Sequence, residues 1–296
     1  MRNFIIGTDW WTDCDDAVAL RVLARAHKAG DIRIKGIILN ACMEYSVASL
    51  DGFLHTEGVS DIPIGIDPDA TDFGGEPPYQ KSLSRYAVRY QSNSDAEDAV
   101  RLYRKILAEA TAPLEMIEIG FLQVVSALIE SGPDDISAKS GTELMQENVS
   151  AIWVMAGKWD ENPGEENNFA RNARARKAAA VFCEKCPVPI TFLGWEIGFD
   201  VISGDCLGKD DVLYQVLCEH GSPEGRMSWD PMLALLALTG NCGQAGYDTV
   251  RGNASVDPET GLNYFAKSAH GRHCYVVKNK DNAFYKAGIN ERISTL

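Results

Sequence analysis

The chain has 296 residues, a net charge of −14 and a pI of about 4.8, and 45% of its residues are hydrophobic. This composition is typical of a soluble globular protein, and the acidic balance argues against nucleic acid or an anionic membrane as a partner, because both attract basic surfaces. No apolar run in this sequence reaches membrane-span length, and we expect a protein without a secretory signal whose eight scattered cysteines are reduced in the cytoplasm. Since no linker or internal repeat divides the chain, we expect a single domain over residues 1–296.

Strands and helices alternate along most of the chain. Apolar runs that end in turn residues predict strands at 2–9, 32–41, 62–67, 114–120, 149–157 and 188–194. Helical periodicity predicts helices at 15–29, 46–58, 95–110, 123–131, 175–185, 210–220 and 230–240. Asp95 is the expected N-cap of the third helix, and 68–96 is expected to be irregular. The predicted fold class is therefore α/β, an open and mainly parallel β-sheet flanked by helices.

An acidic cluster follows the first predicted strand. The stretch "GTDWWTDCDDAVAL" contains Asp9, Asp13, Asp15 and Asp16, and no lysine or arginine precedes Arg21. Crowded carboxylates repel one another, and a bound cation removes that repulsion. An all-oxygen ligand set favours a hard ion such as Ca²⁺ or Mg²⁺ over zinc. The alternative is that one of these acids only caps the following helix and interacts with its dipole.

Polar residues at other predicted strand ends are expected to share a crevice with this cluster, because ligands of open parallel sheets bind outside the carboxyl ends of the strands. Asn40 ends the second strand, "IEIG" ends the fourth, and "MAGKWDENPGEENN" follows the fifth. Asp230, in "SWDPMLALL", precedes a distant apolar helix. If these segments converge, three or four carboxylates and several amides surround one site.

The same segments resemble the motifs of the inosine-uridine preferring nucleoside hydrolases (nucleoside N-ribohydrolases). "GTDWWTDCDDAVAL" is similar to the acidic N-terminal signature of that family. Further segments follow in the family's order, namely "GIILNA", "IEIGFLQVVSAL", "IWVMAG", "PGEENNF", "FLGWEIG" and "SWDPMLAL". The resemblance covers nearly the whole chain. It implies a Rossmann-like nucleoside hydrolase fold, a Ca²⁺-dependent hydrolase of ribonucleosides, and a homo-oligomer, either a dimer or a tetramer.

The resemblance also assigns roles to individual residues. It makes Asp9, Asp16, Asp230 and the backbone carbonyl of Ile119 the metal ligands. Asp9 would also take a proton from the metal-bound water that attacks the sugar, and Asp15 would contact the ribose 2-hydroxyl as the second catalytic residue. The remaining sugar contacts would come from Asn40, Glu166 and Asn168, and we add Trp229 as a substrate contact because of its aromatic ring, not because of the resemblance. Carboxylates around the sugar would stabilise the oxocarbenium-like charge of the transition state.

Several positions depart from the family pattern. Gly7 stands where an acid opens the shorter form of the motif, and Trp229 replaces a histidine that the family links with protonation of the leaving base. Asp13 is an extra carboxylate, which we expect to cap the helix rather than to support the metal ligands. Trp10 and Trp229 are candidates for stacking on a base, although tryptophans near strand ends are equally often part of the core.

Three functions remain open from the sequence. The first is a Ca²⁺-dependent hydrolase of nucleosides, and the second is a hydrolase of the same fold that acts on another ribosyl compound, which Trp229 and the double tryptophan favour. The third is a nonenzymatic nucleoside- or sugar-binding protein. Because a binding protein has no need of a water-activating base, the presence of Asp9 beside the other acids favours an enzyme.

Overall fold

The computed structural model describes residues 1–294 and contains twelve strands. The strands are β1 (Arg2–Thr8), β2 (Ile32–Leu39), β3 (Ile64–Ile66), β4 (Glu97–Asp98), β5 (Leu114–Glu118), β6 (Val149–Met155), β7 (Ile190–Leu193), β8 (Ile202–Ser203), β9 (Arg226–Met227), β10 (Tyr247–Val256), β11 (Asn263–Lys267) and β12 (His273–Lys278). The six strands expected from the sequence are all present, each shortened by one to three residues, because residues at the expected ends lie in the adjoining loops.

The helices are α1 (Asp15–Ala29), α2 (Ser46–Glu57), α3 (Gln80–Ser84), α4 (Ala99–Ala108), α5 (Gln123–Glu130), α6 (Gly141–Asn148), α7 (Asn167–Ala170), α8 (Ala173–Lys185), α9 (Trp195–Gly198), α10 (Val212–His220), α11 (Trp229–Thr239) and α12 (Asn282–Ile293). None of the helices in residues 1–294 has the length and apolar character needed to cross a lipid bilayer.

Ten strands form one sheet in the order β11-β10-β12-β7-β6-β5-β1-β2-β3-β4. From β4 to β12 every neighbouring pair is parallel, and only β10 runs antiparallel to its neighbours β11 and β12. The strands β8 and β9 form a separate two-stranded sheet. The predicted open and mainly parallel sheet is confirmed.

Helices cover both faces of the sheet and create two separate cores, as expected for a parallel sheet. One core is formed with α1, α2, α10, α11 and α12, and the other with α4, α5, α6 and α8. The loops at the carboxyl ends of the strands lie between these helix layers. A ligand site at that edge is therefore walled by helix starts from both ends of the chain.

Helix α1 begins and ends at the residues expected from the sequence. Asp15 and Asp16 lie in its first turn, where the helix dipole favours negative charge, and Gly30 ends it in the left-handed conformation with φ of 81°. Every residue from Asp15 to Ala24 is buried, because α2, α10, α11 and α12 pack around it. The acidic cluster is thus fixed at the start of a largely buried helix.

Two local predictions were wrong. Helix α4 begins at Ala99 with Asp98 as its N-cap, whereas Asp95 completes a capping box with Ser92 around the 3₁₀ turn Asn93–Asp95. Asp95 and Asp98 lie three residues apart, and either could cap a helix. Because Glu97 and Asp98 pair with β3 as strand β4, the helix begins after Asp98. The region 68–96 contains a short helix, α3, that forms where the buried side chain of Gln80 donates to the carbonyl oxygen of Trp10.

A buried carboxyl group lies beneath the first strand. Gly7 has no side chain, and a Cβ there would overlap Oε2 of Glu118 on the neighbouring strand β5. The Tyr103 hydroxyl donates to Oε1 of Glu118 at 2.6 Å. Burial raises the pKa of Glu118 from 4.5 to about 8, although the hydrogen bond from Tyr103 lowers it. At neutral pH the folded protein therefore holds Glu118 in its protonated form.

This raised pKa predicts a specific pH dependence of stability. The stabilisation by protonated Glu118 is complete below its unfolded pKa of 4.5 and is lost as pH rises through about 8. Glu118→Gln stays neutral and keeps the acceptor for Tyr103. We expect the free energy of unfolding of the variant, relative to wild type, to increase by a few kcal/mol between pH 4.5 and pH 8, measured by urea titration. A difference that does not change with pH would contradict the assignment.

Candidate metal centre and substrate cavity

A cavity of about 420 Å³ opens at the carboxyl ends of β1, β5 and β6. Its walls are formed by Asp9, Trp11, Thr12, Asp13, Asp15, Asp16, Gly75, Ile119, Met155, Glu166, Asn167, Asn168, Arg171, Trp195, Trp229 and Asp230. The cavity has the size of a small-molecule site, and acids from both ends of the chain meet at its floor. Every predicted site residue except Asn40 is among its lining residues.

Three buried carboxylates form the floor. One oxygen each from Asp15, Asp16 and Asp230 lies within 4.8 Å of the other two, and the three side chains are 2–4% exposed. The amide of Asp230, at the start of α11, donates to Oδ2 of Asp15 at 3.1 Å. The floor therefore joins the N-termini of α1 and α11 although more than two hundred residues separate them in sequence.

Asp9 completes the acidic floor from the end of β1. Burial, followed by the charge of Asp15, raises the pKa of Asp9 to about 8. Burial and the charges of the neighbouring acids also raise the pKa of Asp15, Asp16 and Asp230 well above the ordinary value. Within residues 1–294 no lysine, arginine or histidine forms an ion pair with any of these four carboxylates. This set of oxygen donors without a basic partner fits a hard divalent cation.

The double tryptophan shapes the loop that carries these acids. Trp10 has a φ of 46°, which is rare for a residue other than glycine, and its amide donates to Oγ1 of Thr8 at 3.1 Å and to Oδ1 of Asp16 at 3.3 Å. The amide of Trp11 donates to Oδ1 of Asp9 at 3.2 Å. The left-handed residue thus directs two successive backbone amides toward two carboxylates of the floor.

Contacts in the hydrophobic core hold Trp10 in this conformation. Its indole is fully buried against Phe53 and Tyr79, and Nε1 donates to Oγ of Ser49 at 2.8 Å. Of the two roles considered for Trp10, the structure supports the core position, because the side chain is fully buried and does not line the cavity. Trp11, the second tryptophan, lines the cavity instead.

The loop after β5 approaches the floor through its backbone. Ile119 lines the cavity, and a Cβ at Gly120 would overlap the amide nitrogen of Asp9 and lie 2.7 Å from Oδ1 of Asn40. Oδ1 of Asn40 accepts the amide hydrogen of Phe121 at 3.0 Å. Asn40 is 1% exposed and lies behind the cavity wall, where it positions the Ile119–Phe121 backbone.

Glu166 and Asn168 form the opposite wall. The Glu166 carboxylate accepts the amide hydrogens of Asn168 at 2.7 Å and Gly157 at 2.9 Å, and burial raises its pKa to about 7. The Asn168 side chain donates to the carbonyl oxygen of Met155 at 2.9 Å. Both side chains are fixed by the backbone and border the cavity, so they can contact a ligand opposite the acidic floor.

Aromatic rings and arginines surround the mouth. Trp195 and Trp229 lie with ring centroids 6.3 Å apart, and Nε1 of Trp229 donates to the carbonyl oxygen of Trp195 at 2.7 Å. The Arg171 guanidinium lies over the ring of Trp11 at 4.6 Å from its centroid. Aromatic surface of this kind suits a flat heterocycle.

Asp13 does not cap α1, so the expected capping role is wrong. Cys14 is the N-cap residue and its own side chain makes no capping hydrogen bond, while Oδ1 of Asp13 accepts the amide hydrogen of Cys14, at 2.7 Å, ahead of the first turn. The guanidinium of Arg226 binds both oxygens of Asp13, at 2.8 and 2.6 Å. Burial favours the neutral form, but the hydrogen bonds and charge of Arg226 outweigh it and lower the pKa of Asp13. Asp13 is therefore a neutralised anion at the mouth, separate from the unpaired floor.

The sequence analysis missed Thr12, Asn167, Arg171 and Met155 as lining residues. Arg171 lies three residues after Asn168, so one helical turn places it beside the same wall. A helical reading of "EENNFAR" would have found it, whereas Met155 was assigned only to the end of a strand.

No protein-family model matches this chain, and no curated protein matches it by sequence. Solved structures do match it. The chain is similar to an inosine-uridine preferring nucleoside hydrolase from Bacillus anthracis, with 14% identity, 99% of this chain and 100% of the other covered, and a TM-score of 0.67. A purine-preferring ribonucleoside hydrolase from Gardnerella vaginalis matches with 14% identity, 98% and 99% coverage, and a TM-score of 0.68.

A third structure is that of the type III effector protein XopQ complexed with adenosine diphosphate ribose. It is 15% identical, covers 98% of this chain and 92% of its own, and has a TM-score of 0.62. These identities are low, so the likeness concerns the path of the chain. This protein has the fold of the nucleoside hydrolases, an open and mainly parallel sheet flanked by helices.

Proposed function

We propose that this protein is a Ca²⁺-dependent hydrolase that cleaves the N-glycosidic bond of ribonucleosides and releases the base and ribose. One observation carries the proposal: four buried carboxylates, for which residues 1–294 supply no ion-pair partner, stand at the carboxyl edge of a nucleoside hydrolase fold. The same fold in the Bacillus anthracis and Gardnerella vaginalis proteins belongs to hydrolases of ribonucleosides.

The proposed cation ligands are Asp9, Asp16, Asp230 and the Ile119 carbonyl, with Asp15 beside them. A divalent cation in this place would act as a Lewis acid that acidifies water and grips vicinal sugar hydroxyls. Asp9 is assigned as the base that takes the proton of the attacking water, and Asp15 as the acceptor for the 2-hydroxyl. Glu166 and Asn168 hold the other side of the ribose, while Asn40 acts through the loop that it positions.

The chemistry of the bond break defines the other roles. Departure of the base leaves positive charge on C1 and the ring oxygen of ribose, and the carboxylates of the floor stabilise that charge. The electron pair of the C–N bond moves to the base, and the water oxygen bonds to C1. The aromatic mouth, with Trp229, contacts the departing base.

A second candidate is a hydrolase of the same fold that acts on another ribosyl compound. The structure of XopQ was solved with adenosine diphosphate ribose, in which ribose carries a diphosphate. A nonenzymatic nucleoside- or sugar-binding homologue is the remaining alternative. We also propose a single domain over residues 1–296, a dimer or tetramer in solution, and a cytoplasmic location consistent with eight free cysteines.

The role of Asp9 gives the first test. Asp9→Asn keeps the size of the side chain but removes the base. We expect turnover of a ribonucleoside panel with Ca²⁺, followed as reducing sugar, to fall about 10²–10⁴-fold. Ribose affinity, measured by calorimetry, should change much less. Unaffected turnover in Asp9→Asn would disprove the mechanism, and no turnover of any riboside by the wild type would favour a binding protein.

The cation site gives a second test that needs no turnover. Ca²⁺ at about 100 times its dissociation constant should stabilise the fold by about 2.7 kcal/mol, seen as a higher melting temperature. The effect should weaken as pH falls, because the raised pKa values of the floor let protons compete with the ion. Asp230→Asn should abolish the shift. Asp13→Asn, which alters an acid already paired with Arg226, should retain it.

The residues at the cavity mouth predict how turnover depends on the pKa of the leaving group. Among the described residues that line the cavity there is no histidine, tyrosine, cysteine or lysine to protonate a departing base. We expect turnover to rise steeply across a series of ribosides as the pKa of the leaving group falls. Trp229→His introduces an acid and should raise turnover of the poorest leaving groups at least about tenfold, and that of the best ones little. A flat dependence in wild type would show that another donor acts.

A further inference from the structure

A second cavity adjoins the substrate cavity. This second space, of about 580 Å³, is lined by Lys158, Glu161, Glu165, Glu166, Asn167, Ala170, Arg171 and Trp195. Four of these residues also line the first cavity, namely Glu166, Asn167, Arg171 and Trp195. The two cavities therefore adjoin at Glu166 and Arg171, so Arg171 borders the space on both sides of this junction.

Arg171 stands at this junction with unused hydrogen-bond donors. Its Nε and Nη2 donate to the carbonyl oxygen of Phe73 at 3.1 and 2.7 Å, and its plane lies over Trp11. A guanidinium has five N–H donors, so three have no acceptor within residues 1–294 and can bind a ligand. The contacts with Phe73 and Trp11 fix the orientation of the group, which reduces the entropy lost when an anion binds.

Arg171 differs from the other cations near the cavities because no carboxylate partner is found for it in residues 1–294. Lys158 pairs with Asp160 and Glu161, and Arg226 pairs with Asp13. Arg174, one turn further along, pairs with Asp72 and lines neither cavity. A fixed guanidinium without a counterion is the preferred partner of a phosphate, which it can bind through two parallel hydrogen bonds.

The shape of ribose indicates where such a phosphate is attached. In the proposed function C1 carries the bond that breaks, and the 2- and 3-hydroxyls face the acidic floor. O5 is then the one remaining position from which a substituent can leave the ring. Because Glu166 lines both cavities, a group on O5 would pass into the second cavity while the base occupies the aromatic mouth.

We propose that the substrate is a riboside phosphorylated on O5, and that Arg171 recognises the phosphate at the junction of the two cavities. This inference rests on the proposed function for the placement of the sugar. Glu165, an exposed acid of the second cavity, opposes the phosphate, so the two residues have opposite effects on its affinity.

The test compares ribose and ribose 5-phosphate by calorimetry with Ca²⁺ in excess. We expect wild type to bind ribose 5-phosphate at least about tenfold more tightly than ribose. Arg171→Gln should remove this preference and leave ribose affinity unchanged, and Arg171→Lys should retain part of it, because lysine keeps the charge without the fork. Glu165→Gln should strengthen the binding of ribose 5-phosphate, and the control Arg174→Gln should change neither sugar.

The proposal would be overturned if wild type bound the two sugars with equal affinity, or if it did not detectably bind ribose 5-phosphate. It would also be overturned if Arg171→Gln weakened the binding of both sugars by the same factor. The last result would mean that Arg171 only anchors the Phe73 loop. Turnover separates this proposal from the proposed function. If the protein prefers the phosphorylated sugar through Arg171 but hydrolyses no riboside, the proposed hydrolase is wrong and the phosphate site stands. If it hydrolyses ribosides without that preference, the hydrolase stands and the phosphate site is wrong.

Discussion

The structure is organised around the repulsion between four carboxylates that the fold buries together. Each of Asp9, Asp15, Asp16 and Asp230 is at most 8% exposed, and burial disfavours the charge of every one. The N-termini of α1 and α11 supply partial positive charge, and backbone amides of Trp10, Trp11 and Asp230 point toward the group. These dipoles reduce the repulsion but do not cancel it. A divalent cation would convert the same crowding into a binding site.

The surrounding sequence makes this arrangement rigid. Trp10 adopts a left-handed conformation that costs on the order of 1 kcal/mol, and its buried indole keeps it there. Gly120 lets the loop after β5 touch the amide of Asp9, and Asn40 fixes that loop through the amide of Phe121. The residues around the acids are thus held by the core, which restricts the positions that the carboxylate oxygens can take.

The mouth of the cavity follows a different principle from its floor. At the floor four carboxyl groups find no ion-pair partner in the described part of the chain, whereas at the mouth Asp13 is neutralised by Arg226 and tryptophan rings provide the surface. This contrast divides the cavity into a part suited to a sugar with a cation and a part suited to a flat group. Arg171, the one unpaired cation of the lining among the described residues, lies at the border with the second cavity, where the chemistry changes again.

Much of the molecule was determined by the sequence alone. Helical periodicity and the glycine at its end predicted the first and last residues of α1. The alternation of strands and helices predicted a mainly parallel sheet, because strands that are buried on both faces have a strong apolar pattern. The ordered acidic and amide segments likewise indicated the floor of the cavity. Local patterns could not decide between Asp95 and Asp98 as a cap, since both offer the same hydrogen bond.

Only the tertiary structure separated Trp10 in the core from Trp11 in the wall, and only it paired Asp13 with Arg226. Both outcomes depend on partners from segments that are distant in sequence: Phe53 and Tyr79 pack on Trp10, and the strand β9 carries Arg226. The residues next to Trp10 and Asp13 in the sequence do not specify these partners. The sequence determines the chemistry of each side chain, but tertiary packing decides whether that side chain faces the core or the cavity.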